Sequence, residues 1–226
     1  MNDRSAIESH RRDERTRLAL WLALVAFFIV VQYAGRAAGD QVTDPLYTWS
    51  FAVGSLIQEV IVGLVVFGIA GFSRERLGLQ SPARKWRAVG LAVAGFFAIQ
   101  VFELAYIAVA HPGNEQGLTP SNWQPSHAAQ YVVNGLIVCT IVPFVEETTF
   151  RGVGFYLLRP RGAWFAITGT GLLFGLSHGL LVALPIIVIF GVVLGWLREQ
   201  TGSVYPGMFL HSTFNLIALV AAVVPR

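Results

Sequence analysis

Apolar runs of about twenty residues recur along nearly the whole chain, and no other feature constrains its fold so tightly. The hydrocarbon core of a bilayer, about 30 Å thick, needs roughly 20 apolar residues in a helix, and every backbone N–H and C=O within it must find a partner inside the segment. Seven stretches of the 226 residues meet that demand: Leu18 to Gly35, Leu46 to Phe72, Ala88 to Ala110, Tyr131 to Leu158, Trp164 to Val182, Leu184 to Leu197 and Tyr205 to Val224. Only 13% of the residues carry charge, which is far from the balance of a soluble domain. The expected fold is all-α, a polytopic membrane bundle of seven to eight transmembrane helices. The fourth stretch is too long for one straight crossing. Pro143 lacks a backbone donor and disturbs the carbonyl of Cys139 one turn earlier, so the span is expected to break there and resume as an additional helical piece.

The basic residues supply an orientation. Arg4, Arg11, Arg12, Arg15 and Arg17 precede the first span, and Arg74, Arg76, Arg84, Lys85 and Arg87 fill the second connection. With Arg159, Arg161 and Arg198 in later connections, 13 of the 16 lysines and arginines fall on one face if the chain crosses seven times. Arg36 and Arg226 fall on the other, and Arg151 lies within a span. The positive-inside rule then predicts a cytoplasmic N-terminus. The organisation follows: a basic arm over 1–17, three N-terminal helices over 18–130, and a core over 131–226 that holds the remaining polar intramembrane groups. The arm serves topology, with attraction to anionic lipid as a secondary effect. The first apolar run exceeds a typical signal-peptide core, and Arg36 interrupts the small residues after it, so a retained anchor is expected. The segment His111 to Gln130, rich in Pro, Gly, Asn and Ser, reads as a long outer loop.

Some classes are excluded. The single Cys139 permits neither a disulfide framework nor a multi-thiolate metal site. The basic residues have no interleaved aromatic platform, so nucleic acid is not an expected partner; the lipid bilayer is. No internal repeat relates the two halves, which counts against a transporter.

Ionisable groups inside the spans are costly enough to be functional candidates: Glu59, Glu103, Glu146, Glu147, Arg151, His178 and His211. In PFVEETTFRG, Glu147 and Arg151 stand i, i+4 with the acid N-terminal, the favourable order for an intrahelical ion pair. Glu146, about 100° around the helix, has no such counter-charge and is a candidate base. A purely structural charge cluster is the competing explanation. In FGLSHG, Phe174 and His178 are expected one turn apart on the fifth span, with Gly171, Gly175 and Gly179 opening close approach to a neighbour. In HSTFN on the seventh span, His211 and Asn215 share a face and offer two donors suited to an oxyanion. Either pair alone is as readily explained by interhelical packing. Counted from Arg159, Arg161 and Arg198 at roughly 1.5 Å per residue, Glu146, His178 and His211 all lie some 20 to 25 Å from one face. Glu59 and Glu103 stand apart, and each could line a cavity or face another helix.

Taken together, EExxxR, FxxxH and HxxxN on successive late helices resemble the three signature motifs of the CAAX protease and bacteriocin-processing family (CPBP, or Abi), intramembrane endopeptidases that include type II CAAX prenyl endopeptidases. The resemblance spans about Gly135 to Leu219. It implies that Glu146 is the general base, activating water with His178, that His211 and Asn215 stabilise the oxyanion, and that Glu147 and Arg151 support them. Arg151 could also steer a substrate carboxylate. The substrate would be a membrane-associated protein or peptide entering from the membrane or the cytoplasmic side, and the short, basic-armed chain reads as a bacterial plasma-membrane member. Members have been described both as glutamate-dependent and as metalloproteases. A metal-free reaction with no required cofactor is expected here, because HExxH is absent and Asn215 suits donor work; Zn2+ on Glu146, His178 and His211 is the alternative. A proton-coupled transporter and a non-catalytic immunity or scaffold protein are the rival functions.

Overall fold

The computed structural model describes residues 3–39, 44–111, 115, 120 and 122–223, with side chains from residue 8 onward. Among these residues the only regular secondary structure is helical, without strands. Seven helices follow in order: α1 (Asp3–Ala38), α2 (Trp49–Ala70), α3 (Lys85–Ala110), α4 (Pro125–Arg161), α5 (Ala163–Leu176), α6 (Leu184–Thr201) and α7 (Tyr205–Val223). All but α5 are long and apolar enough to cross a membrane. Large apolar side chains such as Phe27, Ile57, Leu64, Phe97 and Leu104 point outward, and apolar surface on that scale marks contact with lipid. The protein is an integral membrane protein.

Local chemistry sets the helix ends. Thr48 caps α2 by accepting the Phe51 N–H, satisfying a donor that has no partner within the helix. Gly71 ends α2 and Gly202 ends α6 in the left-handed region, where glycine avoids the Cβ clash. α1 runs unbroken from Asp3 through the basic arm into the first span. The outer connection turns helical earlier than its composition suggests, at Pro125; residues 112–114, 116–119 and 121 lie outside the described set. So do Val224 and Arg226, and the side chain of Arg4.

The fifth span differs from expectation. It ends at Leu176 instead of reaching Val182. Ser177 to Gly179 form a turn, and Gly179 adopts φ 65°. His178 therefore sits on the turn beyond α5, not on the helix.

The fourth span also differs: it does not break at Pro143. The helix continues by widening into two π-helical stretches, Ile137–Ile141 and Thr148–Gly154, on either side of the short α-helical piece that holds Pro143, Glu146 and Glu147. In the first of these, the Val142 N–H bonds to the carbonyl of Ile137, five residues back. Continuing that register, the donor missing at Pro143 falls on Val138, not on Cys139. Asn215 of α7 supplies it, its Nδ2 donating to the Val138 carbonyl at 2.8 Å. Carbonyls in the second π stretch are served in the same way: Trp21 of α1 donates to Thr149 O at 2.9 Å, and Arg198 of α6 to Arg151 O at 3.0 Å. Wide turns of this kind leave carbonyls outside the ladder and recur at functional sites.

The two ends of the bundle are tied separately. At one end Arg76 pairs with Glu14, Arg159 with Glu199, and Val204 N–H bonds Gly78 O. At the other, the Tyr47 hydroxyl bonds Asn122 O, and Glu115 accepts the N–H groups of Leu181, Val182 and Ala183 while pairing with Arg36. Packing between α5 and α6 is close because of glycine. A Cβ at Gly171 would stand 2.8 Å from Val192, and one at Gly191 2.8 Å from Gly171.

Candidate active site

The site is built around the segment between the two π stretches of α4, which aims consecutive glutamates in different directions. Glu147 is fully buried, and Arg151 Nη1 donates to its Oε1 at 3.0 Å. Arg151, equally buried, donates through Nη2 to Gly191 O at 2.9 Å and lies over the Phe174 ring with its guanidinium carbon 4.3 Å from the centroid. One cation thus fastens α4 to α5 and α6. Both guanidinium Nη atoms are bonded, while Arg151 Nε and Glu147 Oε2 are buried without a hydrogen-bond partner; removing either member of the pair leaves a charge in a low dielectric. Gly207 of α7 makes room for the carboxylate, since a Cβ there would fall 2.9 Å from Glu147 Oε2.

Glu147 has a second neighbour. His211 Nδ1 stands 3.3 Å from Glu147 Oε1. A carboxylate can only accept, so the Nδ1 proton points at Glu147 and Nε2 is turned the other way. There it meets Glu146, 3.6 Å from Oε2. The aromatic rings of Phe190 and Phe174 hold the imidazole edge-on, at 5.0 and 5.9 Å between centroids.

His178 is oriented by the same logic. Its Nδ1 lies 2.7 Å from Phe174 O. The carbonyl must accept, which leaves Nε2 as the free nitrogen, 3.9 Å from Glu146 Oε1. Its ring rests against Phe174 with centroids 4.6 Å apart. The turn that carries it is held down by Gly179, whose missing Cβ would lie 2.8 Å from Gln32 of α1. The Phe174 and His178 of FxxxH therefore do meet, although the histidine folds back from a turn instead of projecting from the next helical turn.

Glu146 thus receives one imidazole at each carboxylate oxygen, both beyond direct hydrogen-bond range and close enough to share a water. All three groups line a cavity of about 450 Å³, together with Asn215. Asn215 is partly committed: one of its two N–H bonds goes to Val138 O, leaving one for the cavity. Arg151 does not line the cavity, so the carboxylate-steering role is not open to it.

Zinc fits these residues poorly. Among the described residues no group of three or more His, Cys, Asp or Glu is arranged to hold a metal ion. With ligand atoms about 2.0 to 2.2 Å from the metal, the 3.9 Å between His178 and Glu146 would open their angle at the ion well past tetrahedral.

Glu59 lines the same cavity from α2, whereas Glu103 does not. Gln32, Ser55 and Gln58 also reach it, and none of these three stands out in the sequence as a site residue. The signal was available in part. The buried positions Ala52, Glu59, Val62 and Val66, with half-buried Ser55, form a stripe at helical spacing, and a carboxylate in such a stripe faces the interior.

Two further findings bear on this geometry. A family model described as type II CAAX prenyl endopeptidase, Rce1-like, matches residues 128–217, a stretch that contains Glu146, Glu147, Arg151, His178, His211 and Asn215 and leaves α1 to α3 outside. No curated protein and no solved structure matches the chain. The matched family is one of peptidases.

Proposed function

We propose that the protein is an intramembrane endopeptidase in which Glu146 activates a water for attack on a peptide carbonyl. The observation that carries this reading is that the Glu146 carboxylate is approached by two imidazoles, at 3.9 and 3.6 Å, on the wall of one cavity. Glu146 takes a proton from the water held between it and His178 Nε2. The water oxygen bonds to the carbonyl carbon, and the negative charge moves to the carbonyl oxygen. His211, when protonated on both nitrogens, donates from Nε2 to that oxygen while Glu147 holds Nδ1. The second N–H of Asn215 is the other donor. Glu146 then returns its proton to the amide nitrogen, the C–N bond breaks, and a carboxylic acid and an amine form, the acid passing its proton to the amine as the products leave as carboxylate and ammonium. Preorganised donors of this kind stabilise the charge that develops on the carbonyl oxygen.

Glu147 and Arg151 are positioning residues, since neither reaches the cavity wall. The poor fit to zinc supports a reaction without metal. The concentration of basic residues at one end of the bundle supports a cytoplasmic N-terminus and seven crossings, in the plasma membrane of a bacterium. The substrate is a membrane-associated protein or peptide; a prenylated tail is one candidate within the family's theme.

The test uses purified, lipid-reconstituted protein and a panel of peptides analysed by mass spectrometry. Glu146→Gln should lower cleavage by roughly 10²- to 10⁴-fold while leaving the thermal unfolding profile in place. Parental activity in Glu146→Gln would remove the assignment. Cleavage should persist in 1,10-phenanthroline, and its abolition, with recovery on adding Zn2+, would favour the metalloprotease alternative.

A further inference from the structure

A second acid faces the cavity from a part of the chain that the peptidase motifs do not reach. Glu59 belongs to α2, outside residues 128–217, and is only 7% exposed. It interrupts the interior stripe of α2 at a position where the neighbouring members, Ala52, Val62 and Val66, are apolar. A carboxylate inside a membrane bundle is costly and needs a reason to be there. Its hydrogen bonding does not provide one: Gln58 Nε2 donates to Oε1 at 3.4 Å, too long to hold a charge.

The surroundings make the acid a receptor for something positive. Glu59 and Glu146 line the same cavity. No lysine or arginine is on its wall among the described residues, because Arg151 is enclosed behind Glu147. Ser55 lies one helical turn from Glu59 on the same face and also lines the space. The result is a cluster of acceptors on the same cavity wall as the carboxylate that activates the attacking water. A metal ion does not suit it, for want of three suitably arranged ligands. A long side chain with an aliphatic stem and a cationic head does, since the stem can cross the apolar parts of the wall while the head reaches the acid.

We propose that Glu59, with Gln58 and Ser55 beside it, forms a substrate subsite for an ammonium or guanidinium group, so that the enzyme selects peptides carrying a lysine or arginine side chain, or a free terminal amine, near the bond it cleaves. The proposal rests on the endopeptidase reading. It makes the N-terminal helices contributors to specificity and assigns them a role separate from the reaction.

Four versions of each test peptide examine it with the full-length protein in lipid nanodiscs. They carry lysine or norleucine, scanned through the positions flanking the cleaved bond, with the amino terminus free or acetylated. The wild type should favour lysine over norleucine by about tenfold or more in kcat/KM, a modest figure for a desolvated charge pair. Glu59→Gln should erase that preference, mainly through KM, while cutting the norleucine peptide at about the wild-type rate; Glu59→Asp should retain it. A preference that follows the free terminus instead identifies the amine as the ligand. Equal loss on all four peptides in Glu59→Gln, or an undiminished lysine preference, overturns the subsite. If the wild type cleaves none of them, the endopeptidase reading fails by itself, and equilibrium binding decides: lysine-dependent binding that disappears in Glu59→Gln supports the subsite, and binding indifferent to charge or to the substitution overturns it.

Discussion

Asn215 of α7 donates a hydrogen bond to the carbonyl of Val138 on α4, 2.8 Å away and 77 residues earlier. The bond supplies the donor that Pro143 lacks in the π register, so a residue of the third motif completes the helix that carries the first. Asn215 therefore has two roles, and its substitution should disclose both.

Asn215→Ala should cost about 1 to 3 kcal/mol by leaving a buried carbonyl without a partner. Pro143→Ala restores a backbone N–H, so in that background the cost of Asn215→Ala should shrink by roughly 1 kcal/mol. Thermal unfolding of the four proteins in detergent measures the coupling. Strict additivity would mean that the proline and the asparagine are not linked through Val138.

Removing half of the buried pair should be worse than removing all of it. Glu147→Gln or Arg151→Met should each cost about 3 to 5 kcal/mol, and the double substitution should recover part of that loss. Activity should not recover with stability, because His211 then lacks the carboxylate 3.3 Å from its Nδ1. A double variant as active as the parent would show that Glu147 does not orient the imidazole.

Gly179→Ala tests the turn that carries His178. The residue has φ 65°, and a Cβ would come within 2.8 Å of Gln32 Cβ and 3.1 Å of its backbone carbon. Strain of this type costs about 1 kcal/mol or more. Displacement of the turn should lower kcat more than it raises KM, since His178 Nε2 faces the water and not the body of the substrate. Unchanged kinetics would mean that the turn does not fix the imidazole.

At the opposite end of that turn, Glu115 gives a dependence on pH. Burial raises its carboxyl, but the N–H groups of Ala183, Leu181 and Val182 and the Arg36 guanidinium outweigh it and hold the pKa below its ordinary value of 4.5. A carboxyl held below its ordinary pKa contributes stability that is fully present above that value and is lost as pH falls through the lowered one. Unfolding temperatures of the wild type should therefore drop on acidification below about pH 4.5, and Glu115→Gln should flatten this portion of the profile while being less stable than the parent near neutrality. Superimposable acid profiles would exclude the contact from the stability of this end.

Hydrophobicity made the membrane bundle legible from composition and run length, since a helix that must pair its own backbone in lipid has few alternatives. The i, i+4 spacing of Glu147 and Arg151 made their ion pair legible, because that contact lies within one helix. The order EExxxR, FxxxH, HxxxN identified the late helices as a unit. What remained hidden required contacts between helices. The donor missing at Pro143 could be expected to break α4, and only the approach of Asn215, Trp21 and Arg198 from three other helices shows why it widens instead. His178 reads as helical until Gly179 is seen packed on Gln32 and turned into the left-handed region. Glu59 is visible as an acid in an apolar run, but that it shares a cavity with Glu146 depends on how α2 docks against α4. Backbone pairing and helical periodicity act within a few residues and are written in the sequence. The direction in which a buried charge finally points is set by partners 40 to 150 positions away, and so belongs to the tertiary structure.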